Sequence, residues 1–332
     1  MRCRGTGRDK NIRVERRCRI VSSRSNTTRE YRLGNVVTMD QPTALQVVDG
    51  VDLSGQTCVI TGASSGLGRE SARALASAGA HVVMTARNRS ALEDARSWVL
   101  AGAPRATLST VVLDLTSLAS IRAGAAAISD VTGVIHVLMN NAGVMFTPFG
   151  RTTDGFETQF GTNHLGHFEL TRLLIPHLRA AHGARIVVLS SDGHRLSDVD
   201  LDDPNWERRE YDKFLAYGAS KTANVLHTVE LDRRFRDNGI RAYAVHPGAV
   251  GTALGRHMER ADFQRLDLAG RDLLTPDRGA ATQVWAAVGP EVAHLGAVYL
   301  ADCRVRTDVA PCAVDEQRAA ELWEISEALC DK

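Results

Sequence analysis

A β-branched run, Thr57-Cys-Val-Ile-Thr61, leads directly into glycines at 62, 66 and 68, and from Arg69 onward the residues read as a helix. That order of strand, turn and helix is the tightest constraint in the chain. Glycines let the backbone come close to a pyrophosphate at a helix N-terminus, where unpaired amides and the helix dipole attract anions. Gly62, Ser64, Ser65, Gly66, Leu67 and Gly68 are therefore expected to line a nucleotide. A glycine-rich turn taken alone would be an ordinary loop, so the rest of the chain has to decide.

From Gln56 short β-branched runs alternate with longer helical stretches, the pattern of a parallel sheet covered on both faces. Strands are expected over Thr57–Thr61, His81–Thr85, Thr107–Leu113, Val134–Asn140, Arg185–Ser190, Arg241–His246 and Ala297–Leu300. Helices are expected over Gly66–Ala78, Ala91–Leu100, Leu118–Ile128, Phe156–Ala181, Lys221–Arg236 and Arg278–Val288. The fold class is α/β, a three-layer doubly wound Rossmann fold with a seven-stranded parallel sheet. No repeat and no Pro/Gly/Ser linker divides residues 50–332, and 44% hydrophobic content can fill a large core. Residues 49–332 thus read as a single domain.

Residues 1–48 form a basic leader, Arg-rich with Ser22, Ser23 and Ser25 clustered, and its composition predicts disorder. Asp9, Glu15 and Glu30 weaken the alternative of an organelle transit peptide. Met39 is the other possible start, which would leave the leader outside the native protein. Forty basic against 39 acidic residues, net +1, give no electrostatic reason to expect nucleic acid. Six scattered cysteines without C-x-x-C suggest neither a disulfide framework nor a zinc site and fit a reducing cytoplasm. The apolar stretch from Val134 to Phe146 is broken by His136, Asn140 and Asn141, so no membrane span is expected. The expected partner is a small molecule.

A dinucleotide fold that prefers NAD places an acidic residue after the second strand, ~20 residues beyond the glycines, to hold the ribose 2′-hydroxyl. Here Ala86-Arg87 stands there, leaving room for a 2′-phosphate and a guanidinium to pair with it. NADP(H) is therefore favoured over NAD(H), the alternative being that Arg87 is a solvated strand end. Asp114-Leu115 closes the third strand, and Asp114 either accepts from the adenine amino group or caps a helix. Asn140-Asn-Ala-Gly143 closes the fourth, with Asn141, Ala142 and Gly143 assigned to the cofactor wall.

Tyr217 and Lys221 lie four residues apart, on one face of a helix. Together with the glycine turn, Asn140-Asn-Ala-Gly143, Ser190-Ser191 and His246-Pro-Gly248, this order resembles the short-chain dehydrogenase/reductase family over residues ~50 to 302. The resemblance implies hydride transfer with a nicotinamide cofactor and a tetrad of Asn163, Ser191, Tyr217 and Lys221, with Ser190 as the neighbouring alternative. Tyr217 would be the general acid/base, its phenolate favoured by the Lys221 ammonium together with cofactor charge. Ser191 would hold the substrate oxygen. Asn163 would hold a water leading from Lys221 to solvent, or else be a helix amide satisfied by backbone. Pro247, Gly248, Val250 and Thr252 match cofactor positions, with Pro247 and Gly248 as turn formers. His164, His167 and His194 read as packed or surface side chains, with no metal implied. Asp192 beside Ser191 carries little as a hydrolase triad without a nucleophile elbow.

Residues 192–216 form a long loop before Tyr217, and with Asn163-His-Leu-Gly-His167 it is similar to the branch of retinol dehydrogenases, WW-domain oxidoreductases and protochlorophyllide reductases. That branch implies a lipophilic carbonyl or alcohol. A second segment, 253–275, carries Met258, Phe263, Leu266, Leu268, Leu273 and Leu274, and reads either as a lid or as an amphipathic surface helix. Helix-helix association through Ala223, Val225, Leu226 and Val229 would give a homodimer or homotetramer. The competing function is a catalytically silent NADP(H) sensor or scaffold, which would have no use for Ser191, Tyr217 and Lys221 together.

Overall fold

A computed structural model describes residues 41–266 and 272–331. The leader up to residue 40, and Leu268 of the second substrate segment, lie outside the described residues. Eight strands make one sheet: β1 (Thr57–Thr61), β2 (His81–Ala86), β3 (Thr107–Val112), β4 (Val137–Asn140), β5 (Arg185–Leu189), β6 (Arg241–His246), β7 (Val298–Ala301) and β8 (Arg304–Arg306). Their order is β3-β2-β1-β4-β5-β6-β7-β8. All pairs are parallel except β7 with β8. The expected α/β Rossmann class holds, with one strand more than the seven parallel ones expected. β8 escapes a sequence reading because Arg-Val-Arg has no β-branched run. It turns back through Asp302 and Cys303, both with φ near +50°, the geometry of a tight hairpin.

The helices are α1 (Ala44–Val47), α2 (Gly66–Ser77), α3 (Arg89–Gly102), α4 (Leu118–Val131), α5 (Thr158–Phe160), α6 (Gly166–Arg179), α7 (Lys213–Phe235), α8 (Arg260–Arg265), α9 (Pro276–Gly279), α10 (Ala281–Val288) and α11 (Glu316–Cys330). Alternate strand residues feed two cores. Val59 and Val83 pack with residues of α4, α6, α7 and α11, whereas Cys58, Ile60, Val82 and Met84 pack with residues of α2, α3 and α10. Period-two alternation on a sheet covered on both faces produces the three layers. The strand order reverses between β1 and β4, and at such a switch point the strand ends leave a crevice for a ligand.

Three helical segments differ from the sequence reading. The helix carrying Tyr217 starts at Lys213, not Lys221, because the Asp212 carboxylate accepts the amides of Phe214 and Leu215 at 2.7 and 3.1 Å. The stretch read as one helix over Phe156–Ala181 is interrupted by a π-helical turn, Gly161–Leu165, that contains Asn163. α11 was not expected. It is capped by Asp315 and buries Ala319, Leu322, Trp323, Ser326 and Cys330 along one face. Trp323 lies against Phe168 at 4.8 Å and stacks on His227. Ala223, Leu226 and Val229, the residues that suggested association, belong to this internal core, and Val225 packs with Ala244, Tyr299 and Ala313. Among the described residues no helix is long and apolar enough to cross a membrane.

Candidate active site

The C-terminal ends of β1 to β7 open on a cavity of about 1040 Å³. Every residue assigned above to cofactor or chemistry lines it except Gly68 and Asn163, and both act on the wall from behind. Gly68 permits the turn to close: a Cβ there would sit 2.5 Å from the Gly62 carbonyl oxygen and 2.6 Å from Asn141 Nδ2. Gly62 itself has φ +66°, a region that favours glycine. Ser65 precedes α2 without a side-chain cap, and no acidic residue occupies the first turn. The N-terminal amides of α2 are thus left for an anion.

Asn141 proves to be a brace. Its Nδ2 donates to the Thr61 carbonyl at 2.7 Å, its Oδ1 accepts from Gln283 Nε2 at 3.2 Å, and its main-chain N–H donates to Thr61 Oγ1 at 2.9 Å. These bonds hold the ends of β1 and β4 together beside the glycine turn. Asp114 accepts the amide and hydroxyl of Thr116 at 2.9 and 2.8 Å, closing the turn after β3. Arg87 is exposed at the cavity rim, directly after β2. On the far side Gly248 has φ +86°, and Val250 pairs with Leu274 in an isolated bridge. Thr252 Oγ1 accepts the Leu254 amide at 3.3 Å.

Tyr217 is buried, and its hydroxyl is paired with that of Ser191. Burial pushes the phenol up to about 12, and the Ser191 hydrogen bond only partly opposes this. Lys221, one turn on, is also buried and donates from Nζ to the Leu189 carbonyl at 3.0 Å, while desolvation brings its ammonium down to about 7. Desolvation drives each of the two groups toward its neutral form.

Asn163 is fully committed. Its Oδ1 accepts the Val144 amide at 2.8 Å, and Nδ2 donates to the Val144 carbonyl and to Ser220 Oγ at 3.0 and 2.9 Å. Its side-chain amide is thus satisfied by the Val144 backbone and the Ser220 hydroxyl. A π-turn displaces this residue from the regular ladder and aims its side chain at the loop after β4. His167 is likewise internal: Nδ1 meets the Asn163 carbonyl at 3.0 Å and Nε2 meets Thr61 Oγ1 at 2.8 Å. Burial lowers His167 to about 4 and His164 to about 3. Among the described residues no group of three His, Cys, Asp or Glu side chains could hold a metal.

Of the wall around Tyr217, sequence reasoning named Met258 and Leu266 as part of a candidate lid but missed Phe146. Phe146, with φ +52°, sets its ring 4.9 Å from that of Tyr217 and 4.5 Å from Phe214. Its strained amide is held by buried Gln159 Oε1 at 2.8 Å. Leu266 completes the cluster, with Met145, Leu196 and Met258 against it. The segment bearing Leu266 is tied down by ion pairs Lys213–Asp262 at 2.6 Å and Arg265–Asp212 at 3.4 Å. The only sequence signal for this wall was scattered apolar residues in polar loops, which fixes no orientation.

The short chain dehydrogenase family profile matches residues 56–262. The chain belongs to that family. Within it, the dehydrogenase falls in the retinol dehydrogenase-like branch: it is 39% identical to mouse retinol dehydrogenase 14 over 296 residues, covering 83% of this chain and 86% of the relative. Human retinol dehydrogenase 12 is 40% identical, with coverage of 83% and 86%. The zebrafish WW domain-containing oxidoreductase is 38% identical, with 86% of this chain and 71% of the relative aligned. A crystal structure of an uncharacterised protein from Mycobacterium paratuberculosis superposes with a TM-score of 0.71 at 35% identity, covering 88% of this chain and 98% of that one. The dehydrogenase is thus an alcohol or carbonyl oxidoreductase using a nicotinamide cofactor.

Proposed function

We propose that the chain transfers a hydride between NADP(H) and an apolar carbonyl or alcohol, with Tyr217 as general acid in reduction and base in oxidation. The observation that carries this reading is the convergence of Tyr217, Ser191 and Lys221 on one wall of a cavity whose other end is the glycine turn. When bound, the cofactor supplies or accepts the hydride, and the chain supplies the rest. The α2 amides and Gly62 hold the pyrophosphate, Arg87 pairs with a 2′-phosphate, and the groups near Val250 and Thr252 hold the nicotinamide end. Ser191 donates to the substrate oxygen as charge develops on it. Tyr217, kept protonated by its burial, can give a proton in reduction. The cavity wall of Phe146 and Leu266, backed by Phe214, excludes water and suits an apolar substrate, in keeping with relatives named for retinol.

NADPH oxidation against a panel of aliphatic aldehydes, ketones and all-trans-retinal tests this reading. Turnover of at least one member is expected, falling by more than about 100-fold in Tyr217→Phe. Turnover that survives that substitution would refute the role of Tyr217. Cofactor binding without any turnover would point instead to the silent sensor.

A further inference from the structure

Ser191 sits just past β5 in extended backbone, φ −171°, before a single turn of 3₁₀ helix over Asp192–Arg195. Its Oγ accepts the Gly193 amide at 3.0 Å, so the placement of the hydroxyl depends on what holds that turn. Two residues of the turn reach across to the last strands of the sheet. His194, almost fully buried, bridges the Ser191 carbonyl through Nδ1 at 2.7 Å and the Ala310 amide through Nε2 at 3.2 Å. The partners fix the tautomer: Nδ1 must donate to a carbonyl and Nε2 must accept from an amide. Asp192 is buried too. Its amide meets His246 Nδ1 at 3.4 Å, its Oδ1 accepts the Tyr299 hydroxyl at 3.1 Å, and its Oδ2 lies 3.8 Å from His246 Nε2. Arg195 Nε completes the surroundings at 3.9 Å from Oδ1.

Burying a carboxylate and two imidazoles here is expensive, and apolar side chains would fill the corner at lower cost. Every one of these bonds ends on Ser191 or the residue after it, or on the groups that hold them. Apart from Arg195, the partners come from one source, the β6–β7–β8 edge and the loop that follows it. We propose that Asp192 and His194 are positioning residues, through which Tyr299, His246 and the loop after β8 hold the Ser191 hydroxyl toward Tyr217. This rests on Ser191 being the group that holds the substrate oxygen. A misplacement of about 1 Å at such a donor costs on the order of 100-fold in rate, so loosening one of two tethers is expected to cost about tenfold.

The test is a pair of double-mutant cycles. Tyr299→Phe keeps the ring and removes one tether, and His194→Asn removes the reach to Ala310; each is made alone and on Ser191→Ala. Reduction of straight-chain aldehydes from hexanal to dodecanal by NADPH is followed, with thermal midpoint and NADPH affinity measured in parallel. Each single variant is expected to lower kcat by about tenfold with KM for NADPH near wild type, and to add nothing in the Ser191→Ala background. Multiplicative losses in the double variants, or wild-type kcat in both singles, would overturn the proposal. If one variant fails to fold, the other tether still decides. A wild-type kcat in Ser191→Ala itself would overturn the reading of Ser191, a separate failure visible in its own arm.

Discussion

Replacing Lys221 with methionine should make the protein more stable while destroying its activity. A lysine that titrates near 10.5 in the unfolded chain and at about 7 when folded costs the folded state roughly 4 kcal/mol at neutral pH. Its hydrogen bond to the Leu189 carbonyl returns about 1 kcal/mol. That carbonyl keeps Asn224 Nδ2 at 2.9 Å as a partner, so the substitution strands no acceptor. The net expectation is a gain of about 3 kcal/mol, which at 2–4 °C per kcal/mol is a rise of roughly 6–12 °C in Tm. The pH dependence supplies a second signature. Between pH 7 and 10.5 the unfolded wild type holds a proton at this site that the folded form does not, so wild-type stability rises with pH there. The gap to Lys221→Met should therefore be widest below neutrality and close toward the alkaline end. Urea unfolding of both proteins across that range measures it. A methionine variant no more stable than wild type at neutral pH, or a gap indifferent to pH, would refute the argument that the site holds its lysine against desolvation.

Arg87→Asp should reverse the preference of kcat/KM from NADPH toward NADH by more than about tenfold, because a carboxylate repels a 2′-phosphate and accepts from a 2′-hydroxyl; an unchanged ratio would remove Arg87 from the cofactor site. Gly68→Ala should weaken NADPH binding by tenfold or more in a fluorescence titration, since its Cβ would meet the Gly62 carbonyl oxygen and Asn141 Nδ2. Trp323→Ala should lower the unfolding free energy by about 3 kcal/mol and expose α7, which calorimetry would report; a wild-type Tm would mean that α11 does little for the core.

The alternation of β-branched runs and helices was legible because parallel strands covered on both faces must be apolar throughout, and the glycine turn because only residues without Cβ fit there. Tyr217 and Lys221 were legible as a pair because four residues on a helix always share a face. β8 was not, since three residues with two arginines carry no strand signal. α11 was hidden in a different way: its apolar stripe is plain once sought, but only Phe168, His227 and Phe235 across the interface say what it covers. Asn163 could be placed near the centre by its motif. Its commitment to Val144 and Ser220 could not, because those partners lie 19 and 57 residues away.

The sequence by itself determined the seven parallel strands, the position of the glycine turn and the four side chains that carry the proposed chemistry, all features written in local spacing. Tertiary structure decided how those side chains are charged and held. Burial, a property of the packed whole, drives Tyr217 and Lys221 toward their neutral forms. Asp192 and His194, which follow Ser191, are bonded by residues as distant as Tyr299 and Ala310. Desolvation and long-range hydrogen bonds exist only once the chain has closed on itself, and no spacing rule records them.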